Sequence, residues 1–352
     1  MASPRRRPTQ VDIARRLGIS QATVSLVVSG GPASFQVAEH TRRAVLEAAA
    51  ELGYTVNAAA RSLKGGRNRL LGLYTFEPVF PVDRRDFYFP FLLGVEEATA
   101  ACGYDLLLFS SATARGDRSI YASGANRLKV ADGCVLLGRD IDRAELAELV
   151  REDFPFVFIG RREVPGHELS YVAPDNVAAT RNAVLHLAGF GHRSMAYLKM
   201  ADDQEPTRDR AEGFRQGIAD VGIGADQVLV HATDEPVTGA LLREWLTDGI
   251  TALLVEPSED DAAIASVERA AAEAGILIPE DCSVVLLGDP PPSESTRDWT
   301  RYRPPREQMA REAVRLLLEL LDDEDGRPRH LLLGCRPIPG ESVAEPTVSR
   351  PS

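Results

Sequence analysis

Apolar positions along this chain change their period near residue 70. Before that point they recur at helical spacing: Val11, Ile13, Ala14 and Leu17, then Val24, Val27 and Val28, then Val45, Leu46, Ala49 and Leu52. Three short amphipathic helices account for the pattern, with Gly18 and Gly53 placed to end the first and third. Beyond residue 70, short unbroken apolar runs take over: LLGLYTF (70–76), DLLLF (105–109), GCVLL (133–137), FVFI (156–159), MAYL (195–198), VLV (228–230), ALLV (252–255) and SVVLL (283–287). Between them lie amphipathic stretches at 92–101, 178–187, 211–220, 262–274 and 307–321. Strands that are apolar along their whole length and separated by helices predict parallel sheets covered on both faces. The runs fall in comparable numbers on either side of residue 170, which predicts two similar lobes. Ligands of such sheets sit beyond the carboxyl ends of the strands, so the expected binding site is the cleft between the lobes.

The helical head carries a specific chemistry. Thr9 and Asp12 are spaced as a capping box at the start of the first helix. Gly18 permits the positive φ of a sharp turn, Ile19 is the apolar turn residue, and Ser20 is a good N-cap for the second helix. Two helices so joined form a helix-turn-helix, which lays the start of its second helix in the major groove of DNA. With Val24, Val27 and Val28 turned inward, Gln21, Ala22, Ser25 and Leu26 face out or flank the groove, with Thr23 beside them. The Gln21 amide can bond an adenine edge at two points, and Ala22 and Leu26 can touch a thymine methyl. Thr23 and Ser25 suit phosphate oxygens, which set position without reading sequence. Ser20 or Ser25 alone would signify no more than a capped, solvated helix. The ordered set of turn glycine, apolar Ile and Thr-Val-Ser is what points to DNA.

Charge sharpens the division. The chain of 352 residues carries a formal net charge of −12, an unpromising total for a DNA binder. Residues 1–70, however, hold eleven Lys and Arg against four Asp and Glu, and the rest holds 29 against 48. A basic head attracts phosphate, while an acidic body repels it and favours solubility. The cysteines, Cys102, Cys134, Cys282 and Cys335, have no CxxC spacing and no histidines at ligand intervals, so reduced thiols and no metal site are expected. No cofactor-binding glycine motif, GxSxG or HExxH occurs, so neither a cofactor nor catalysis is expected. The acidic pairs Asp202-Asp203, Asp260-Asp261 and Asp322-Asp323 fit helix ends better than catalytic dyads. The sequence contains neither a signal peptide nor an apolar stretch near the roughly 20 residues that span a bilayer, which predicts a cytoplasmic protein with no membrane partner. A transport-type sugar-binding protein would show the reverse features. A non-specific DNA binder would need neither a base-reading helix nor a large ligand-binding body.

The stretches VDIARRLGISQATVSLVVSG (11–30) and HTRRAVLEAAAELGYTVNAAARSLKGGR (40–67) resemble the headpiece of the lactose-repressor (LacI) family. The resemblance extends into the body through APDN (173–176), AGFGHRSMAYL (188–198), RAEGF (210–214), GILIPEDCSVV (275–285) and GCRPIPGESVA (334–344). It implies a small all-α helix-turn-helix headpiece over residues 1–56, a hinge helix and linker over 57–69, a two-lobed α/β body like periplasmic binding proteins, with parallel sheets, over 70–340, and a polar tail at 341–352. The lobes would be 70–170 with 302–326, and 171–301 with 327–340. In the family, residues matching Gln21, Ala22 and Leu26 read bases, and those matching Thr23 and Ser25 touch the DNA backbone. Residues 57–63 match the hinge, which folds where two copies pair over the operator's minor groove. Asn57 opens it, Ala60 is small enough for the close approach, and Leu63 would wedge open the central base step.

The same resemblance implies a homodimeric transcriptional regulator of the repressor kind, bound to a pseudo-palindromic operator and controlled by a small sugar-like effector. Arg210 matches the family's ligand-holding arginine. Phe76 after the first strand, Asp140 after the third and Asp289 after the run at 283–287 are the other expected effector contacts. The chain departs from the family at Leu26, where Arg is common, at Ala38, where Ser usually caps the third helix, at Val56, where Pro is usual, and at Gly288, where the ligand Asp would stand. A ligand that shifts the lobes would tighten or release the hinge, which suits an inducer and a corepressor alike.

Overall fold

The computed structural model describes residues 8–29, 36–54, 67–77, 85–109, 119–139, 141–257, 262–290, 297–323 and 327–347. Asn57, Ala60 and Leu63 of the expected hinge, and Asp140, lie outside these residues. The chain divides into two compact units, residues 1–70 with 130–132, and the remainder.

The first unit holds α1 (Gln10–Leu17), α2 (Gln21–Ser29) and α3 (Glu39–Leu52). Asp12 Oδ2 accepts from the Thr9 backbone N–H at 2.8 Å and from its hydroxyl at 2.7 Å, so the capping box forms. Gly18 adopts φ 65° and closes α1 in the left-handed region, where a side chain would be strained. Ser20 Oγ accepts from the Thr23 backbone N–H at 3.1 Å and caps α2. Ile13, Ala14, Val24, Val27, Val45, Ala48 and Ala49 close a small core. Two expected core residues are not in it: Val11 is 41% exposed and Leu46 is 53% exposed. The inward stripe of α3 runs through 45, 48, 49 and 52, so Leu46 stands about 100° round the helix from Val45 and Ala48 takes its place. Val11 is likewise rotated away from the face set by Ile13 and Ala14.

The second unit contains two six-stranded sheets built alike. In the first, β1 (Leu70–Thr75) lies between β2 (Asp105–Phe109) and β3 (Gly133–Leu137), followed by β4 (Phe156–Ile159), β5 (Tyr171–Pro174) and β11 (His330–Leu333). The pairings β1/β3, β3/β4, β4/β5 and β5/β11 are parallel. In the second sheet, β6 (Met195–Lys199) lies between β7 (Val228–Ala232) and β8 (Ala252–Val255), followed by β9 (Ser283–Leu286), β10 (Arg301–Arg303) and β12 (Arg336–Ile338). All its pairings are parallel except β10/β12. The central strands β3, β4, β8 and β9 are buried at every residue, which is why they read as unbroken apolar runs. Covering helices include α4 (Arg85–Ala101) and α10 (Arg306–Asp322) on the first lobe. On the second are α6 (Asn176–Gly189), α7 (Glu205–Asp220), α8 (Gly239–Thr247) and α9 (Ala262–Ala274). A Cβ on Gly213 would stand 2.3 Å from the Val177 carbonyl oxygen, so the glycine of RAEGF lets α7 pack against α6.

The lobe boundaries differ from those expected. Strands β5 and β11 belong to the first sheet, while β10 and β12 belong to the second. The chain therefore crosses between lobes after Pro174, between Arg303 and Arg306, and between Leu333 and Arg336. The segments YVAP, RYR, HLLL and RPI were not among the apolar runs read from the sequence, and only pairing assigns them to a lobe. α8 and α5 (Arg143–Arg151) were likewise not among the helical stretches read from the sequence. The tail also departs from a purely polar appendage. Ser342 is fully buried and donates to the Val284 carbonyl at 2.6 Å. His192, also buried, donates from Nε2 to the Ala344 carbonyl at 2.9 Å, and burial holds its pKa below the ordinary histidine value. That accounts for the histidine of AGFGHRSMAYL as a structural strap.

Candidate functional site

On the head, Gln21, Ala22 and Leu26 are exposed, and Thr23 and Ser25 are half-buried beside them. Val24 and Val27 anchor the opposite face of α2 in the core. The residues expected to meet DNA thus lie together on one accessible helix surface.

On the body, a cavity of about 300 Å³ opens between the two sheets. Its walls come from segments that follow the carboxyl ends of strands, as doubly wound sheets require. Glu77 follows β1, Arg139 follows β3, and Arg161 and Arg162 follow β4. From the second lobe, Asp202 and Gln204 follow β6, Asp289 follows β9, and Thr207, Asp209 and Arg210 project from α7. Phe87, Tyr88 and Phe91 of α4 supply an aromatic wall, with the Arg306 guanidinium 4.9 Å from the centre of the Phe87 ring.

Ion pairs join the lobes across this space. Arg139 bonds Asp202, Arg143 Nη1 lies 2.7 Å from Glu205 Oε1, Arg161 Nη2 lies 2.5 Å from Asp209 Oδ1, and Arg208 Nη2 lies 2.7 Å from Glu163 Oε2. Burial pushes the Asp202 carboxyl up, but hydrogen bonds from Thr207, the Gln204 N–H and Arg139 outweigh it and hold the pKa below the ordinary value. Glu205 behaves alike: burial opposes ionisation, and Arg143 with the Glu163 N–H overcomes it. Arg208 holds Glu163 down directly. Carboxylates with lowered folded-state pKa values contribute their full stabilisation above the ordinary value of 4.5 and lose it as the pH falls through the lowered ones. Acidification below about pH 4 should therefore loosen the two lobes from each other. Small-angle scattering should show the radius of gyration rising before helical circular dichroism is lost. Constant dimensions until global unfolding would contradict this.

The expected effector residues fare differently. Arg210 lines the cleft. It makes no hydrogen bond among the described residues, and its nearest counter-charge is Glu256 Oε2, 3.8 Å from Nη1. Asp289 also lines the cleft, but it is committed to the protein: Arg303 Nε at 2.6 Å, Arg306 Nη1 at 2.7 Å and Arg301 Nε at 3.4 Å share its carboxylate. Phe76 is not part of the lining. Its ring packs edge-on against Tyr74 at 5.0 Å and beside Phe158 at 6.3 Å, and Glu77 takes the place facing the cleft. A strand-end residue alternates between faces, and the apolar one turned to the core.

Sequence reasoning missed Glu77, Arg139, Arg161, Arg162, Asp202 and Asp209. Listing every polar residue in the first few positions after each apolar run would have found all but Asp209, which reaches the cleft from α7. Asp202, set aside as a helix-end acid, bridges the lobes. Glu256, directly after β8, is fully buried, accepts from the Tyr197 hydroxyl and from the Met200 N–H at 3.2 Å, and backs Arg210. Cys134 and Cys282 are buried free thiols, and burial pushes Cys282 up to about 12. Among the described residues no group of side chains could hold a metal ion, and no helix is long and apolar enough to cross a membrane.

Comparison with known proteins adds to this geometry. Residues 9–57 match the family described as bacterial regulatory proteins, lacI family, and residues 184–343 match the periplasmic binding protein-like domain. The chain is 32% identical over 343 residues to the HTH-type transcriptional regulator CelR of Thermobifida fusca, which covers 94% of this chain and 96% of that protein. It is 33% identical over 337 residues to an HTH-type transcriptional regulator in the aml 5′ region of Streptomyces limosus, covering 89% and 88%. The solved CelR–cellobiose complex matches with a TM-score of 0.62 and 27% identity over 96% of this chain and 100% of the other. A LacI family regulator from Enterococcus faecium with bound ribose shares the fold, with a TM-score of 0.60 and 20% identity over 78% and 99%.

Proposed function

Because the chain belongs to the lacI family of bacterial transcriptional regulators, we propose that it is a cytoplasmic repressor that binds a pseudo-palindromic operator as a homodimer under the control of a sugar-like effector. The observation that carries the DNA reading is the exposed face of α2, where Gln21, Ala22 and Leu26 stand together with Val24 and Val27 anchored behind them. Two such heads would read half-sites in successive major grooves. Support for the effector comes from Arg210, a nearly buried guanidinium without a hydrogen-bond partner in the wall of a sugar-sized cavity. A ligand bridging the lobes there would compete with or reinforce the ion pairs between them and so shift the lobe arrangement.

The test is binding to palindromic and random duplexes at one fixed salt concentration, by fluorescence anisotropy. The wild-type protein should prefer one inverted repeat by about a thousandfold or more. Gln21→Ala should lose roughly 1–3 kcal/mol of discrimination at a single base pair of each half-site, with non-specific binding and its salt dependence unchanged. Equal affinity for random and palindromic DNA would sink the reading. The effector arm adds sugars, cellobiose among them, and asks whether operator affinity changes.

A further inference from the structure

The cleft's hydrogen-bonding capacity is lopsided. Among the described residues its carboxylates are Glu77, Asp202, Asp209 and Asp289, and both oxygens of each already accept from protein donors. Glu77 accepts from the Arg139 N–H and the Tyr88 hydroxyl. Asp202 accepts from Gln204, Thr207 and Arg139. Asp209 takes Nε and Nη2 of Arg161, and Asp289 is shared by three arginines. A neutral sugar donates its hydroxyls chiefly to such carboxylates, and here each carboxylate already spends part of its accepting capacity on the protein.

The donors are less committed. Arg162 lines the cleft and is 8% exposed, yet among the described residues no carboxylate oxygen lies within 4.0 Å of its guanidinium. Its Nη1 and Nη2 donate only to the carbonyls of Arg161 at 2.7 Å and Gly138 at 2.9 Å, its Nε has no partner, and one face stacks 5.1 Å over the Phe158 ring. Glu205 and Glu77 act on it only through space, and a guanidinium so far out of water with no carboxylate bonded to it among the described residues is costly to hold. Burial correspondingly pulls its pKa below the ordinary arginine value. Arg210, on the facing lobe, also keeps its donors unbonded.

We propose that this cleft takes an acidic saccharide, a sugar bearing a carboxylate, with Arg162 as the residue that binds the carboxylate and Arg210 as the second donor. The inference rests on the reading of the cleft as the effector site and names the ligand class. A carboxylate suits Arg162 better than a phosphate does, because one guanidinium without a direct ion pair matches a single negative charge whereas a phosphate monoester carries about two. The amides of Asn176 and Gln204, both in the lining, serve the neutral hydroxyls, and Phe87, Tyr88 and Phe91 serve the apolar ring face.

The experiment is calorimetric titration of the full-length protein at pH 7 with glucuronate, galacturonate and cellobiouronate, each against glucose, galactose and cellobiose, and with glucose 6-phosphate. At least one uronate should bind about tenfold or more tightly than its neutral counterpart. R162Q should erase that preference, and R162K should keep part of it. If R162Q does not fold, the wild-type contrast decides alone. A neutral sugar bound as tightly as its uronate, or the phosphate ester bound in preference to every uronate, overturns the acidic-sugar assignment but leaves the cleft an effector site. Binding of none of these ligands overturns both.

Discussion

Arg210→Ala should abolish the response of operator binding to effector and, separately, destabilise the protein by about 3 kcal/mol at neutral pH. Two effects are expected because Arg210 faces two ways. Toward the cleft it offers unbonded donors. Behind it, Glu256 is fully buried with Arg210 as its nearby cation at 3.8 Å. Truncating the arginine leaves a carboxylate out of water with, among the described residues, the Tyr197 hydroxyl and the Met200 N–H as its donors. Burial already raises the Glu256 pKa, and without Arg210 it must rise further. A carboxyl whose folded pKa is raised binds a proton more readily in the native state, so the deficit should grow from pH 5.5 to pH 8. Adding E256Q should recover stability, since the charge is then gone, but not the effector response. Urea denaturation at the two pH values with effector titrations of both variants checks this. An Arg210→Ala protein of unchanged midpoint at pH 8, or one that still responds to effector, would refute the corresponding half.

Val45→Asp should reduce operator affinity by about a thousandfold or more, to the level of non-specific binding, while effector binding and the unfolding of the body stay unchanged. Val45 is fully buried in the head between α1 and α2, on a helix that carries none of the expected base contacts. The head's core is small, so its stability margin is only a few kcal/mol. An unpaired carboxylate there costs more than that margin. Leu46→Asp, one residue on at a 53% exposed position, should change stability by no more than about 0.5 kcal/mol. Anisotropy with operator DNA and urea melts of both variants make the comparison. Operator affinity for Val45→Asp within tenfold of wild type would count against the helix-turn-helix core drawn here.

The contrast between Val45 and Leu46 shows where sequence reasoning succeeds and where it slips. Both are apolar and adjacent, and only the packing of α1 and α2 against α3 selects Val45, Ala48 and Ala49. Longer signals were legible. The runs at 105–109, 133–137, 156–159 and 252–255 are the strands β2, β3, β4 and β8 to the residue; β3, β4 and β8 are buried on both faces, which demands unbroken apolarity, whereas β2 is a half-exposed edge strand. The capping box at Thr9 and Asp12 and the turn at Gly18 were legible because a cap involves groups three or four residues apart.

The sequence by itself thus determined the kinds of elements, their alternation, the outward face of α2 and the position of Arg210 after a strand and loop, all of which depend on local spacing. Tertiary structure alone decided which lobe each of β5, β10, β11 and β12 joins, and how the charges of the cleft are shared. Asp289, expected to meet a ligand, lines the cleft with its carboxylate shared by three arginines. Arg162, adjacent in sequence to the ion-paired Arg161, bonds no carboxylate among the described residues. The physical reason is range: the ion-pair partners of the cleft lie 12 to 63 residues apart along the chain, and only the fold brings them within 4 Å.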